Sequence, residues 1–171
     1  MAHFWRRADA PVVAGGYRSF RPYVRKDFVQ QCAYCLLAEI LVGGEENFEL
    51  DHFKPRSKFQ DLINDYFNIY YSCHPCNRAK HDEWPPPELF GRGIGFVDLC
   101  RDEFAEHFAV EGDGSWTGKT DAGRYTIDIV RLNRKHLVEI RGLLSDLGFA
   151  VHTQRVAKEE LQELARQLGF L

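Results

Sequence analysis

Two Cys-x-x-Cys pairs, Cys32/Cys35 and Cys73/Cys76, stand about forty residues apart in this chain. A Cys-x-x-Cys turn presents two sulfurs to one ion, and two such turns complete the four tetrahedral thiolate ligands of a structural zinc. At this separation the ion clamps a small subdomain rather than one loop. The alternatives are a redox dithiol or plain buried thiols. A redox dithiol belongs at the strand-to-helix turn of a βαβ unit and has no need of a second pair. Four of the five cysteines fall into the pattern, and Cys100 is left in an apolar run as a small core residue. An odd count does not suit a disulfide framework, so the expected compartment is reducing and cytoplasmic. His74 lies inside the second pair and is not required as a ligand when four sulfurs are present.

The net charge of −3 argues against a protein that coats nucleic acid through bulk charge. Cations are nevertheless concentrated. Arg6, Arg7, Arg18, Arg21, Arg25 and Lys26 occupy the first 31 residues, interleaved with Phe4, Trp5, Tyr17, Phe20 and Tyr23. That segment suits either an arm gripping a phosphate backbone or a solvated terminus. No apolar run approaches the ~20 residues needed to span a bilayer, and the N-terminal residues show no apolar signal core.

Local pattern orders the elements. Pro11, Gly15, Gly16 and Pro22 interrupt residues 1–27, leaving room for one short helix or strand around 22–30. Leu36 to Val42 is a short apolar element closed by Gly43-Gly44. In the run to His52, Phe48, Leu50 and His52 share one strand face, with Glu49 and Asp51 on the other. Pro55 and Ser57 open a loop, Tyr66 to Ser72 is a second strand, and His74 to Glu83 a helix stopped by Pro85-Pro86-Pro87. Beyond the prolines, Gly93 to Cys100 turns β-like, and His107–Val110 with Ser115–Thr117 reads as a hairpin. Asp121 is placed to cap a helix to about Val130. Asn133 is placed to cap another, with Leu137, Ile140, Leu144 and Leu147 at helical spacing. A third helix is expected at 155–168.

Inside the cysteine frame stand Asp51-His52 with Lys54-Pro55-Arg56-Ser57, Asn68 five positions before Cys73, and Cys76-Asn77 with Lys80. Taken together, these spaced elements over residues 30–82 resemble the HNH endonuclease family. The resemblance implies an α+β fold: a ββα-metal core at 32–84 stapled by a four-cysteine zinc site, with a β-hairpin and C-terminal helices appended. It divides the chain into a basic and aromatic arm (1–31), the nuclease core, a connector and hairpin (85–118) and a helical region (119–171). It implies that His52 is the general base, that Asp51 and Asn77 hold a catalytic magnesium or manganese, and that Asn68 orients the loop carrying His52. The chemistry is consistent: imidazole is suited to take a proton from water near neutral pH, and a hard divalent ion on few protein oxygens stays open to phosphate. Neighbours on a strand point to opposite faces, so Asp51 and His52 serve one site only where the strand ends and twists. The third position of the family name is histidine; here it is Asn77, whose amide oxygen suits a hard cation. Lys54, Arg56, Arg78 and Lys80 suit phosphate contacts and equally suit a solvated surface. His81, His107, His136 and His152 have no partner pattern and receive no role.

Phe-Lys-Pro-Arg-Ser-Lys-Phe, the Gly-Asp-Gly hairpin and Leu132-Asn133-Arg134 look like the HNH subunits of Septu-type and retron-associated anti-phage systems. That likeness implies an endonuclease cutting DNA, with RNA left open, to 5′-phosphate and 3′-hydroxyl ends. Its partner would be an ATPase docked on the C-terminal helices. The rival is a zinc-bound nucleic-acid or protein adaptor without catalysis; the Asp51-His52 pair beside a helix-borne amide argues against it.

Overall fold

The computed structural model describes residues 4–148 and residue 166. The helix expected at 155–168 falls outside the described residues, apart from that single position.

Helix α1 (Arg21–Asp27) starts with proline inside its first turn, where the missing N–H costs nothing. Strands β1 (Phe48–His52) and β2 (Ile69–Cys73) pair antiparallel, Phe48 opposite Cys73 and His52 opposite Ile69. Helix α2 (His74–Lys80) follows β2 without a loop. Strand, loop, strand and helix thus stand in the expected order. The second strand begins later than its aromatic run suggests, because Tyr66–Asn68 forms a 3-10 turn first, capped by the Asp65 carboxylate accepting from Phe67 N. The helix stops at Lys80, three residues short of the expected end, because His81 takes a positive φ of 45°.

Two short helices, α3 (Pro87–Phe90) and α4 (Phe104–His107), lead into the hairpin β3 (Phe108–Val110) and β4 (Trp116–Gly118), as its sequence suggests. Between those helices, residues 93–100 form no strand. Their polar groups are satisfied otherwise: Val97 N donates to Thr126 Oγ1 (2.8 Å), Cys100 N to Asp98 Oδ1 (2.9 Å), and Asp98 O accepts from Arg101 N (2.8 Å). Helices α5 (Asp121–Val130) and α6 (Lys135–Asp146) close the described chain. Both expected caps move. Thr120, not Asp121, caps α5 by accepting from Gly123 N. Arg134 precedes α6, while the Asn133 amide pairs with both Trp116 N (2.8 Å) and Trp116 O (2.7 Å), tying the helix to the hairpin. Leu137 and Leu144 of the α6 stripe are buried, whereas Leu147 is exposed.

One cluster of buried side chains runs from Phe4 to Leu144. The N-terminal segment therefore belongs to the core rather than standing off it. Phe4 lies on Phe28 (ring centroids 4.8 Å), Phe28 on Tyr70 (5.2 Å), and Phe20 meets Tyr66 edge-on (5.1 Å). Most of its arginines are engaged internally. The Arg7 guanidinium donates to Asp27 Oδ1 at 2.8 Å, Arg6 stacks 4.6 Å over the Tyr66 ring, and Arg25 grips Glu39 at 2.6 Å.

Asp27 holds this segment to the 3-10 turn that precedes β2. Burial alone would raise its pKa, but hydrogen bonds from Arg7 and from the Tyr66 hydroxyl (2.7 Å) outweigh that and hold it below the usual carboxylate range. A carboxyl depressed in the fold contributes stability above its unfolded pKa of ~3.9 and loses it as pH falls through the folded value. Hydrogen bonds to a charged group contribute about 1.5–3 kcal/mol. Asp27→Asn should accordingly lower the Tm by about 3–12 °C at neutral pH. Thermal unfolding of the two proteins between pH 6 and 3 checks this, with the gap narrowing toward the acid end.

Candidate metal and nuclease site

The two cysteine turns meet. All four sulfurs are buried and lie within 4.8 Å of one another, with Cys35 Sγ 3.9 Å from Cys73 Sγ. Four thiolates ~2.3 Å from one ion at tetrahedral angles stand about 3.8 Å apart, so the cluster is placed for a metal ion. His74 is not part of it: its ring is half exposed and meets Glu49 at 3.1 Å. Cys100 stands apart, beside Asp98, and burial pushes its thiol up to about 12. Four thiolates around a divalent ion leave two negative charges, and two guanidinium groups approach from the C-terminal side. Arg134 donates to Cys76 Sγ at 3.0 Å. Arg141 is buried, donates to Leu132 O at 2.6 Å, and leaves Nε and one terminal nitrogen without a hydrogen bond. Burial lowers its pKa to about 10 against the pull of Cys35 and Cys76. One guanidinium bonded to a cysteine sulfur and a second buried nearby over the Trp116 ring suit an anionic metal–thiolate centre.

Tyr34, between the first two cysteines, links this centre to the carboxylate of Asp51 through its hydroxyl. Burial and the charge of Asp51 push the phenol well above its ordinary pKa, which keeps it a donor. Lys80 reaches the same carboxylate at 3.1 Å and donates to His52 O at 2.9 Å, though it is wholly buried. Burial raises the Asp51 pKa, and Lys80 and Tyr34 draw it back. A carboxylate offers about four lone-pair sites. Tyr34 takes one and Lys80, within 3.5 Å of both oxygens, takes two, which leaves room for one further ligand contact.

Asp51 and His52 are the last two residues of β1, and both border one cleft of about 270 Å³ together with Asn77, Arg56, Arg78 and His81. The sequence therefore places these three site residues together, and the strand end lets neighbours on opposite faces share a cavity. His52 is held on two sides. Its Nε2 lies 3.0 Å from Ile63 O, and its ring meets Tyr17 edge-on at 4.6 Å. A carbonyl only accepts, so Nε2 donates, and in the neutral ring Nδ1 is the nitrogen with the free lone pair. Asn68 lies behind the site rather than in the cleft. Its Oδ1 accepts from Lys54 N (2.9 Å) and its Nδ2 donates to Lys54 O (3.0 Å) and Leu62 O (3.3 Å), pinning both ends of the loop after His52. Asn77 Nδ2 donates to Glu49 Oε2 at 2.5 Å, which turns its amide oxygen into the end suited to a hard cation. Burial would raise the Glu49 pKa, but Asn77 and His74 hold it down.

Five residues of this arrangement escape the sequence patterns. Glu49 shares the Asp51 face of β1 and is recoverable from strand alternation. Tyr34 lies inside the first cysteine pair with no local sign of its partner, and Lys80, expected at phosphate or on a solvated surface, is instead buried against Asp51. Tyr17 is brought from far up the chain, and His81 enters the cleft only because of its backbone conformation.

Residues 32–83 match the family model described as HNH endonuclease. Among curated proteins, the chain is 26% identical over 140 residues to Septu protein PtuA of Bacillus mycoides (strain KBAB4), covering 70% of this chain and 20% of that protein. It is 25% identical over 121 residues to Septu protein PtuB of Bacillus thuringiensis, covering 67% of this chain and 42% of that protein. The chain thus spans less than half the length of either relative. No described helix is long and apolar enough to cross a membrane.

His81, with φ 45° and ψ −133°, occupies a conformation suited to glycine. Such a residue costs about 1–3 kcal/mol and persists where the surroundings impose it. His81→Gly is expected to raise the Tm by roughly 2–12 °C while removing an imidazole from the cleft. Calorimetry on the two proteins checks the stability; an unchanged or lower Tm would contradict the strain.

Proposed function

We propose, for a chain that carries an HNH endonuclease domain over residues 32–83, that it is a metal-dependent endonuclease hydrolysing DNA phosphodiesters to 5′-phosphate and 3′-hydroxyl ends. The observation that carries this is one cleft bordered by Asp51, His52 and Asn77, with the His52 tautomer fixed by Ile63 O. Nδ1 of His52 takes the proton of the attacking water. Tyr17 and the Ile63 carbonyl keep the ring aligned, so orientation is provided before substrate arrives. Asn68 holds the loop that supplies that carbonyl. Asp51 and Asn77 provide a carboxylate and an amide oxygen to magnesium or manganese, which when bound stabilises the leaving 3′-oxygen. Lys80 and Tyr34 fix the Asp51 carboxylate. The four cysteines hold zinc as a structural ion.

The likeness to Septu proteins supports a role in anti-phage defence. On that reading the C-terminal helices, with Leu143 and Leu147 exposed on and just after α6, meet a protein partner such as an ATPase in the cytoplasm. A non-catalytic adaptor is the second reading, and the ion pair of Asp51 with buried Lys80 is the observation in its favour. The cleft and the tautomer of His52 are without purpose in an adaptor.

Two outcomes are expected. Supercoiled plasmid should be cut in magnesium or manganese and spared in chelator, and His52→Ala should lose about 100-fold or more of the rate; equal cutting by both purified proteins would remove His52 from the reaction. Purified chain should carry one zinc with four thiols that become titratable only on its release. Cys73→Ala should lose the metal and the cooperative unfolding transition together.

A further inference from the structure

On the face that carries His52, two clefts adjoin. One, about 270 Å³, is bordered by Arg56 and Arg78; the other, about 370 Å³, by Arg18; Tyr17, Leu50 and Asn77 belong to both. Asn77 therefore stands between Arg18 on one side and Arg56 and Arg78 on the other.

The arginines of this chain sort by what holds them. Arg7, Arg21 and Arg25 grip Asp27, Glu45 and Glu39, and Arg134 reaches a cysteine sulfur. Arg18, Arg56 and Arg78 are exposed and form no ion pair among the described residues. The Arg18 guanidinium lies 5.7 Å from the Tyr17 ring. Three carboxylates also border the clefts. Asp51 is paired with Lys80, Glu49 is engaged by Asn77 and His74, and Asp82 is exposed on the first cleft. Tyr17 itself is fixed: its N–H donates to Asn64 Oδ1 at 2.9 Å, and Phe20 at the end of the same 3-10 turn is buried against Tyr66. It forms a set aromatic wall rather than a loose side chain.

We infer that the two clefts form one nucleic-acid track, with Arg18 taking backbone phosphate on one side of the scissile position and Arg56 and Arg78 on the other. Tyr17 stands between them as a stacking wall for a base. Unpaired guanidinium groups on both sides of an aromatic wall are the chemistry that follows a nucleic-acid strand, and fixed aromatic faces take bases without sequence readout. Arg18 and Tyr17 lie outside residues 32–83, so half of the track comes from the N-terminal segment. This rests on the nuclease reading above.

The salt dependence of binding tests the track. Each phosphate contact contributes about 0.9 to the slope of log K against log salt for duplex and about 0.7 for a single strand. The full chain carrying His52→Ala, with zinc retained and no other divalent ion, is titrated against fluorescent single-stranded and duplex oligonucleotides by anisotropy. Arg18→Ala and Arg78→Ala should each flatten the slope by about 0.7–0.9, and Arg18→Lys should restore it. Arg92→Ala, exposed and bordering neither cleft, should leave the slope unchanged. Equal slopes for Arg18→Ala and Arg92→Ala would overturn the track, as would failure to bind either oligonucleotide. Plasmid cutting separates the two claims. His52-dependent cutting with an unaltered Arg18→Ala slope removes the track and spares the nuclease; a flattened slope without His52-dependent cutting does the reverse.

Discussion

Tyr34 sits between two of the four gathered cysteines, and its hydroxyl ends on the buried Asp51 carboxylate that lines the cleft. Remove the constraint on Cys32 and Cys35 and that hydroxyl has no fixed position. The same turn donates from Ala33 N to Tyr71 O at 2.8 Å, fastening it to β2. Because Cys73 closes β2 and Cys76 lies in α2, an ion held by the four sulfurs would join the turn, the strand and the helix. Asn77 and Lys80 ride on that helix, so their reach toward β1 depends on the same joint. The Asp51 and Asn77 side of the cleft thus depends on where the sulfurs meet.

The imidazole is governed from the opposite side. His52 takes no direct contact from the sulfur centre; Ile63 O and Tyr17 hold it, and Asn68 holds the loop that brings Ile63 into place. Two frames therefore converge, linked by Lys80, which reaches both Asp51 and His52 O: one fixes the oxygens suited to a cation, the other fixes the base. Their convergence at the end of β1 resolves the difficulty that Asp51 and His52 are strand neighbours on opposite faces.

Spacing within 30–82 made most of this region legible, because thiolate ligation, strand alternation and proline breaks each act over a few residues. The cysteine cluster, the shared cleft of Asp51, His52 and Asn77, and the strand–loop–strand–helix order were all readable there. Elsewhere local signals lost to distant partners. Asn133 has the right chemistry for a helix cap, but the backbone of Trp116 claims its amide on both sides. Residues 93–100 have strand-like composition, but their backbone groups go to Thr126, Asp98 and the N–H of Phe4 instead. The basic segment before Cys32 looked like a free arm; Asp27, Glu39 and Glu45, ordinary acidic residues in the sequence, absorb most of its charge and leave Arg18 at the cleft. Tyr17 and His81 enter the site through tertiary packing and an unusual φ, neither of which has a sequence period.

The central claim is that Asp51 and Asn77 form a hard-cation site separate from the sulfur centre and next to His52. Manganese binding followed by electron paramagnetic resonance on zinc-loaded protein tests it most directly. The account predicts one manganese per chain, lost in Asp51→Asn and weakened in Asn77→Ala, with zinc content unchanged in both. Manganese bound equally by all three proteins, or displacing zinc from the cysteines, would contradict it.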